Sequence, residues 1–118
     1  DVAPGEDIFY RITSTNISED GIEGSGNTNG SILLNANNFT LVDDGTDNGN
    51  NWAATTFHKV GSSASQGPVE YFNGAASLGT TEPATETIAP SAVTAYENEA
   101  GTVAPQQSVT LEFVRTVQ

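Results

Sequence analysis

Val109-Thr110-Leu111-Glu112-Phe113, near the end of the chain, alternates apolar and polar side chains without a break. Side chains of a β-strand point alternately to its two faces, so Val109, Leu111 and Phe113 share one face of the segment. Val117 continues the apolar row, and Arg115 interrupts it. The pattern predicts an amphipathic strand that begins after the turn at Pro105.

The same arrangement occurs near the beginning of the chain. A Pro4-Gly5 turn precedes residues 7–15, in which Ile8, Tyr10 and Ile12 recur at every second position. These are β-favouring residue types, and their spacing predicts a second amphipathic strand.

Five shorter segments between these two have strand character and are separated by polar turns. Asn73-Gly74 is the strongest of the turn signals, and no segment shows a helical period. The segments are residues 31–35, 39–42, 52–60, 68–72 and 92–96. We therefore predict an all-β, immunoglobulin-like antiparallel β-sandwich of about seven strands, formed by residues 1–118 as a single domain.

The charge of the chain is strongly unbalanced. Fifteen acidic residues against three basic ones give a formal net charge of −12. Such a surface repels phosphate groups and anionic lipids, which argues against nucleic-acid binding and membrane-surface binding. It attracts metal cations, and copies packed side by side repel one another unless cations or close pairing offset the charge.

Other features concern the compartment. The sequence contains no cysteine, so disulfide and thiol chemistry are excluded. No apolar run approaches the ~20 residues that span a membrane, which predicts no direct membrane insertion. The opening Asp1-Val2-Ala3-Pro4-Gly5 is typical of a mature chain after removal of a leader. We expect a secreted protein located outside the cell or on its surface.

Both ends of the chain carry a family resemblance. The segment from Pro4 to Asn16 resembles the phrase P-G-D-x-V-x-Y-x-I-x-x-T-N of the DUF11 family of cell-surface repeats. The segment from Gly101 to Phe113 is similar to that family's closing G-T-L-A-P-G-x-S-V-T-L-x-F strand, and Val69-Glu70-Tyr71 matches its V-E-Y strand. The resemblance implies an extracellular immunoglobulin-like sandwich. TasA/camelysin-type biofilm filament subunits share the general appearance.

The chain departs from that family pattern in two places. Residues 17–31 form a larger polar insertion, and only Asp1-Val2-Ala3 precedes the Pro-Gly corner where family members carry a strand. A sandwich that lacks one strand exposes an unpaired edge, which a strand from a neighbouring copy can cover. This predicts strand exchange that builds head-to-tail polymers; the alternative is a different strand order. The residues assigned to assembly are Ile8, Tyr10, Ile12, Val109, Leu111 and Phe113.

An acidic loop is the candidate metal site. From Asp44 it reads Asp-x-Thr-x-Asn-Gly, which overlaps the start of a calcium-binding loop. The closing bidentate Glu is lacking, because Thr55 occupies the twelfth position. Turn formation by Asx residues is the alternative reason for such a composition. The predicted ligands to calcium, the one cofactor that the sequence suggests, are Asp43, Asp44, Thr46, Asp47 and Asn48.

Three Asn-x-Ser/Thr sequons, at Asn16, Asn29 and Asn38, are candidate sites for N-linked glycan. Trp52 and the other aromatic residues are expected in the core, the alternative being a platform for binding sugars. His58 is the single histidine, and no set of residues with a catalytic spacing accompanies it.

These observations predict a structural protein and not an enzyme. We expect a subunit of a cell-surface filament, pilus or surface layer, assembled from copies of itself by β-strand complementation. The alternative is a calcium-dependent adhesion or carbohydrate-binding module of a surface protein that recognises glycans.

Overall fold

A computed structural model of the chain describes residues 2–18, 34–83 and 89–118. Within them it contains seven strands, one short helical turn and one 3₁₀ turn, Pro90–Ala92. The strands are β1 (Asp7–Thr15), β2 (Ala36–Asp44), β3 (Thr56–Ala64), β4 (Val69–Asn73), β5 (Ala76–Gly79), β6 (Ala95–Val103) and β7 (Ser108–Val117), and the helical turn is α1 (Trp52–Thr55). No helix in these ranges is long and apolar enough to cross a membrane.

The strands form two antiparallel sheets that pack as a sandwich. One sheet has three strands in the order β1-β7-β3, and the other has four in the order β2-β6-β4-β5. The predicted fold class, an immunoglobulin-like sandwich of about seven strands, is confirmed. The two terminal strands that the sequence indicates most clearly, β1 and β7, pair with each other over nine continuous residue pairs.

The core between the sheets is built around aromatic rings. Phe113 stacks on Tyr96 with ring centroids 3.9 Å apart and on Tyr10 at 4.8 Å. Trp52 meets Phe113 edge-on at 5.6 Å. Such pairs add stability beyond their burial alone, roughly 0.5–1.5 kcal/mol each. Other members of the cluster are the sheet residues Leu41, Val103, Val109 and Leu111, together with Val93, which lies just before β6.

Several strand boundaries differ from those the sequence predicts. Residues 52–60 were predicted as one strand, but Trp52 opens a helical turn and β3 begins at Thr56. The turn lets the Trp52 ring enter the core above Gly45, whose backbone oxygen accepts from Trp52 N at 3.1 Å. Residues 61–67 were predicted as a loop, yet β3 continues to Ala64 through an irregularity at Gly61.

Further differences concern β2, β5 and β6, and β5 (Ala76–Gly79) lies where no strand was predicted. β2 includes Ala36 and Asn37, which were predicted as a turn, and Leu34 and Asn35 lie outside it; residues 31–33 are outside the described part of the chain. β6 begins at Ala95 and continues through the acidic residues Glu97 and Glu99 to Val103, beyond the predicted segment 92–96. Alternation persists there, because Asn98 and Ala100 are buried and alternate with Glu97 and Glu99.

Candidate assembly site at the edge strand β1

Four strands form the outer edges of the two sheets, and three of them are irregular or short. β2 has two register shifts against β6, with Asn38 at a φ of 54°. β3 has a register shift between Lys59 and Ser63, and β5 has only four residues. Bulges and short strands are devices that prevent edges from pairing with other chains.

β1 is the exception among the edges that the structure describes. Its nine residues pair with β7 without any register shift, so its pairing is regular along its whole length. An edge of this kind presents a row of N–H and C=O groups that can pair with another strand.

The hydrogen bonds at the two ends of β1 show which groups point outward. Asn16 N donates to Gln107 O at 2.9 Å, and Val117 N donates to Glu6 O at 2.9 Å. In an antiparallel ladder the bonded pairs alternate, so the even-numbered residues of β1 bond to β7. The backbone groups of the odd-numbered ones therefore point away from β7: Asp7, Phe9, Arg11, Thr13 and Thr15.

The inward side chains of β1 border an opening between the sheets. Tyr10 and Ile12 pack against the core but are only partly buried, as are Ala36 and Phe39 on the β2 side. A cavity of about 220 Å³ lies between the end of β1 and the start of β2. Its lining is mainly apolar and consists of Ser14, Thr15, Asn16, Ile17, Ala36, Phe39 and Val103.

The structure brings together the six residues that the sequence assigns to assembly. Across the ladder Tyr10 is opposite Phe113, and Ile12 is opposite Leu111. Val109, Leu111 and Phe113 are fully buried, and β7 is bonded on both sides. These three therefore form the core beneath the edge, and the backbone available for a further strand belongs to β1.

The outward side chains of β1 carry opposite charges four residues apart. Arg11 Nε donates to Glu112 Oε1 at 2.9 Å. Lys59 Nζ donates to Asp7 Oδ2 at 2.5 Å, and Thr116 donates to Asp7 Oδ1 at 2.8 Å. The hydrogen bond from Lys59, followed by that from Thr116, lowers the pKa of Asp7. The residue remains a carboxylate at neutral pH.

The predicted calcium loop uses its carboxylates within its own turn. Asp44 Oδ1 accepts from Thr46 N at 2.8 Å and from Thr46 Oγ1 at 2.7 Å, and these bonds lower the pKa of Asp44. Asp47 Oδ1 accepts from Asn48 N at 2.7 Å. Burial, then the neighbouring Asp44, raises the pKa of Asp43. In the described ranges no three acidic or histidine side chains converge as metal ligands; calcium binding here stays a prediction.

Two of the three predicted glycan acceptors lie in the described residues. Asn16 Nδ2 donates both to Leu34 O at 2.7 Å and to Val103 O at 2.9 Å, and its Oδ1 accepts from Ser18 N. The side chain of Asn16 therefore connects the end of β1 with Leu34, which precedes β2, and with Val103 at the end of β6. Asn38 is exposed at the irregular part of β2, and Asn29 lies outside the described residues.

The sequence did not reveal a buried polar chain that crosses the core. Arg115 is fully buried, and its Nη1 donates to Tyr96 Oη at 3.1 Å. Tyr96 Oη lies 2.7 Å from His58 Nδ1, and His58 Nε2 lies 3.0 Å from Glu82 Oε1. A neutral His58 with its proton on Nε2 satisfies every contact, because Tyr96 then donates to Nδ1 and Glu82 accepts.

Burial and neighbouring groups shift the pKa values of the side chains in this buried hydrogen-bonded row. Burial lowers the pKa of His58, although Glu82 acts in the opposite direction. Burial also raises the pKa of Tyr96. At Glu82 burial favours the neutral acid, but the N–H groups of Ser62 and Gly61, at 2.9 and 2.8 Å, outweigh it and lower the pKa. This row of hydrogen-bonded side chains joins β3, β6 and β7, and its Arg115 end is closed off from solvent.

The aromatic residues considered as a sugar platform are mostly internal. Trp52, Tyr71, Tyr96 and Phe113 are buried. Phe9 is the exposed member, with 77% of its surface accessible, and it lies on the outward face of β1. No family model matches this chain, and neither a curated protein nor a solved structure does.

Proposed function

We propose that this protein is an extracellular structural subunit whose copies join through the edge of β1. The observation that carries the proposal is the contrast between edges: β2, β3 and β5 are irregular or short, whereas β1 is regularly paired over nine residues. An edge without a backbone partner in the described part of the chain favours addition of a strand from another molecule. The resemblance to DUF11-like surface repeats supports the same role and an extracellular location.

A second copy of β1 is the occupant that the charges of the edge favour. Antiparallel pairing that sets Phe9 opposite Phe9 of the second copy also sets Asp7 of each copy opposite Arg11 of the other. All three are outward-pointing, odd-numbered positions, so they form hydrogen-bonded pairs in the new ladder. Opposite charges and aromatic rings facing each other across strands each contribute roughly 0.2–1 kcal/mol.

Pairing at β1 also suits the cross-section of the sandwich. The added strand extends the three-stranded sheet and lies at the opening between β1 and β2, where Tyr10, Ile12, Ala36 and Phe39 are only partly covered. Covering these side chains adds a hydrophobic contribution of about 25 cal/mol per Å² removed from water. Backbone pairing and apolar burial thus act together at one edge.

A proline at an outward-pointing position tests the proposal. Phe9 is exposed and its N–H points away from β7, so Phe9→Pro removes a donor that folding of the monomer does not need. Phe9→Val is the matched control, because it removes the ring but keeps the N–H and the preference for a strand. Near-ultraviolet circular dichroism of the core aromatic residues verifies that both variants are folded.

The expected result is that sedimentation velocity shows self-association of the wild type, weaker association of Phe9→Val and a monomer for Phe9→Pro. Folded Phe9→Pro that associates as tightly as Phe9→Val would exclude pairing through β1. A wild type that stays monomeric at millimolar concentration would exclude the structural role itself.

A further inference from the structure

The two glycan acceptors in the described part of the chain are held in very different ways. At Asn16 every polar group of the side chain is engaged. Its Nδ2 donates to Leu34 O and to Val103 O, and its Oδ1 accepts from Ser18 N. The hydroxyl of this sequon is used as well, because Ser18 Oγ accepts from Leu34 N at 2.8 Å. A sugar on Asn16 takes the place of one Nδ2 hydrogen, so the folded protein loses one of these bonds.

The surroundings of Asn16 also disfavour a sugar. The residue borders the cavity of about 220 Å³ between β1 and β2, whose lining is mainly apolar and includes Ile17, Phe39 and Val103. Sugar hydroxyls in such a cavity lack partners, which costs free energy. Because these contacts belong to the folded product, they disfavour a modified Asn16 whether the sugar is attached before or after folding.

Asn38 lies in the opposite situation. It is exposed at the point where the pairing of β2 with β6 shifts in register. Its backbone has a φ of 54°, a left-handed conformation that Asn adopts more readily than most residues. Among the described residues no hydrogen bond engages its side chain. A sugar on its Nδ2 therefore removes no contact of the described fold.

The hydroxyl that completes this sequon opens onto the same surface as the acceptor. Asn38 and Thr40 both line a depression of about 340 Å³, together with Glu99. Thr40 lies opposite Glu99 in the ladder, and the next residue, Leu41, is buried in the core. Since side chains alternate along a strand, Thr40 and Glu99 point to the outer face of the four-stranded sheet. Both groups that define a sequon are thus presented to solvent on one face.

We propose that Asn38 carries an N-linked glycan and that Asn16 carries none. The new bond joins Asn38 Nδ2 to C1 of a sugar, while the bond from C1 to the phosphate of a lipid-linked glycosyl donor breaks. Nδ2 loses one proton, and the lipid phosphate is the leaving group. A cellular transferase catalyses this step, with the Thr40 hydroxyl as part of the sequence that it recognises. The first sugar occupies the depression beside Thr40.

The glycan deepens the proposed function and rests on it for the extracellular location. The outer face of the four-stranded sheet points away from the sheet that contains β1, so a sugar there leaves the β1 edge free. It also adds a bulky, hydrophilic group at the irregular part of β2. Modification of Asn38 therefore closes the β2 edge further and directs the pairing of copies to β1.

Substitutions at Thr40 test the glycan without changing Asn38, whose left-handed backbone would strain most other residues. Thr40→Val removes the hydroxyl but keeps the branched shape that suits a strand. Thr40→Ser keeps the hydroxyl and the sequon, and it is the matched control. The wild type isolated from its natural source and both variants expressed in the same cells are analysed by mass spectrometry. All three sequons lie between Arg11 and Lys59, so fragmentation that leaves the sugar attached is needed to assign the modified residue.

The expected result is a sugar on Asn38 in the wild type and in Thr40→Ser, and its complete loss from Thr40→Val. Asn16 should have its unmodified mass in all three proteins. The inference is overturned if Asn38 of the wild type is unmodified, if Thr40→Val keeps the added mass, or if Asn16 carries a sugar in the folded protein.

Sedimentation velocity of the same samples separates this inference from the proposed function. Sugar-free Thr40→Val should associate as the glycosylated wild type does, and addition of Phe9→Pro should convert both to monomers. Weaker association of Thr40→Val would contradict the placement of the sugar away from the contact. A glycosylated wild type that stays monomeric refutes edge pairing alone, and an associating wild type without sugar refutes the glycan alone.

Discussion

The guanidinium carbon of Arg115 lies 4.5 Å from the centroid of the Trp52 ring, inside the core. Its nitrogens donate to Thr56 Oγ1 at 2.6 Å, to Thr56 O at 3.1 Å, to Val93 O at 2.9 Å and to Tyr96 Oη at 3.1 Å. A fully buried cation of this kind is tolerated because four of its five N–H groups meet acceptors and its plane lies against an aromatic ring.

Replacement of Arg115 is therefore expected to destabilise the fold strongly. Arg115→Met has a similar volume but leaves several buried oxygens without a donor, each costing roughly 1–3 kcal/mol in a non-additive way. We expect the free energy of unfolding to fall by about 3–5 kcal/mol. Urea denaturation measures it, and Arg11→Met, which removes an exposed ion pair, is the control with an expected loss of about 0–1 kcal/mol. Equal losses for the two variants would contradict the account.

The stability of the protein is expected to fall as the pH drops from 7 toward 5. The pKa of His58 is lowered in the folded state from its ordinary value of 6.5. Below that value the unfolded chain binds a proton that the folded chain refuses, so stability is lost with decreasing pH. The lowered pKa values of Glu82, Asp7 and Asp44 act in the same direction at more acidic pH.

His58→Gln removes the first of these titrations. The variant is expected to be less stable at pH 7, since Tyr96 and Glu82 lose an ideal partner. Its free energy of unfolding should change less than that of the wild type between pH 7 and 5. Parallel curves for the two proteins in this range would show that His58 is not the responsible group.

Gly45 is expected to tolerate no side chain. A Cβ at this position would lie 2.0 Å from Trp52 Cδ2, and Trp52 is fixed by its neighbours in the core. Gly45→Ala should lower the free energy of unfolding by about 1–3 kcal/mol, as overpacking does. A double-mutant cycle with Trp52→Phe provides the check. The smaller ring leaves room for the methyl group, so the double variant should lose less free energy of unfolding than the two single variants together.

Removal of one acidic side chain from the four-stranded sheet is expected to stabilise the monomer. Glu70 and Glu97 lie directly opposite each other on β4 and β6, and like charges in such positions repel. Glu70→Thr should raise the free energy of unfolding by about 0.2–1 kcal/mol. Glu99→Thr is the control, because the residue opposite Glu99 on β2 is Thr40. The difference between the variants should shrink at about 1 M salt, where screening acts over about 3 Å; a difference that is independent of salt would argue against repulsion.

The sequence predicted those parts of the fold in which local pattern and burial agree. In β1 and β7 apolar residues recur at every second position from Ile8 to Ile12 and from Val109 to Phe113, and these residues face the core as predicted. Arg115 occupies an inward position of the same alternation. The sequence showed it only as an interruption, since its partners Thr56, Val93 and Tyr96 come from two distant segments. No local signal identifies such a set.

The remaining differences have similar causes. Alternation across residues 52–60 indicated one strand. The helical turn replaces its first part because Trp52 packs over Gly45, and this contact forms only when the chain folds. Edge regularity is likewise a property of register: the irregularities of β2 and β3 depend on their pairing with β6 and β7. The sequence assigned the edge to residues of both β1 and β7, and the structure was needed to show that β7 is paired on both sides whereas β1 is the edge strand.

Amide hydrogen exchange along β1, measured at low and at high protein concentration, tests the role of this edge most directly. Ile8, Tyr10 and Ile12 bond to β7, so their amides should be protected at both concentrations. Phe9 and Arg11 point outward, and we expect their amides to exchange rapidly in the dilute protein and to become protected on assembly. If these two amides exchange at the same rate while the protein associates, strand pairing at β1 is wrong.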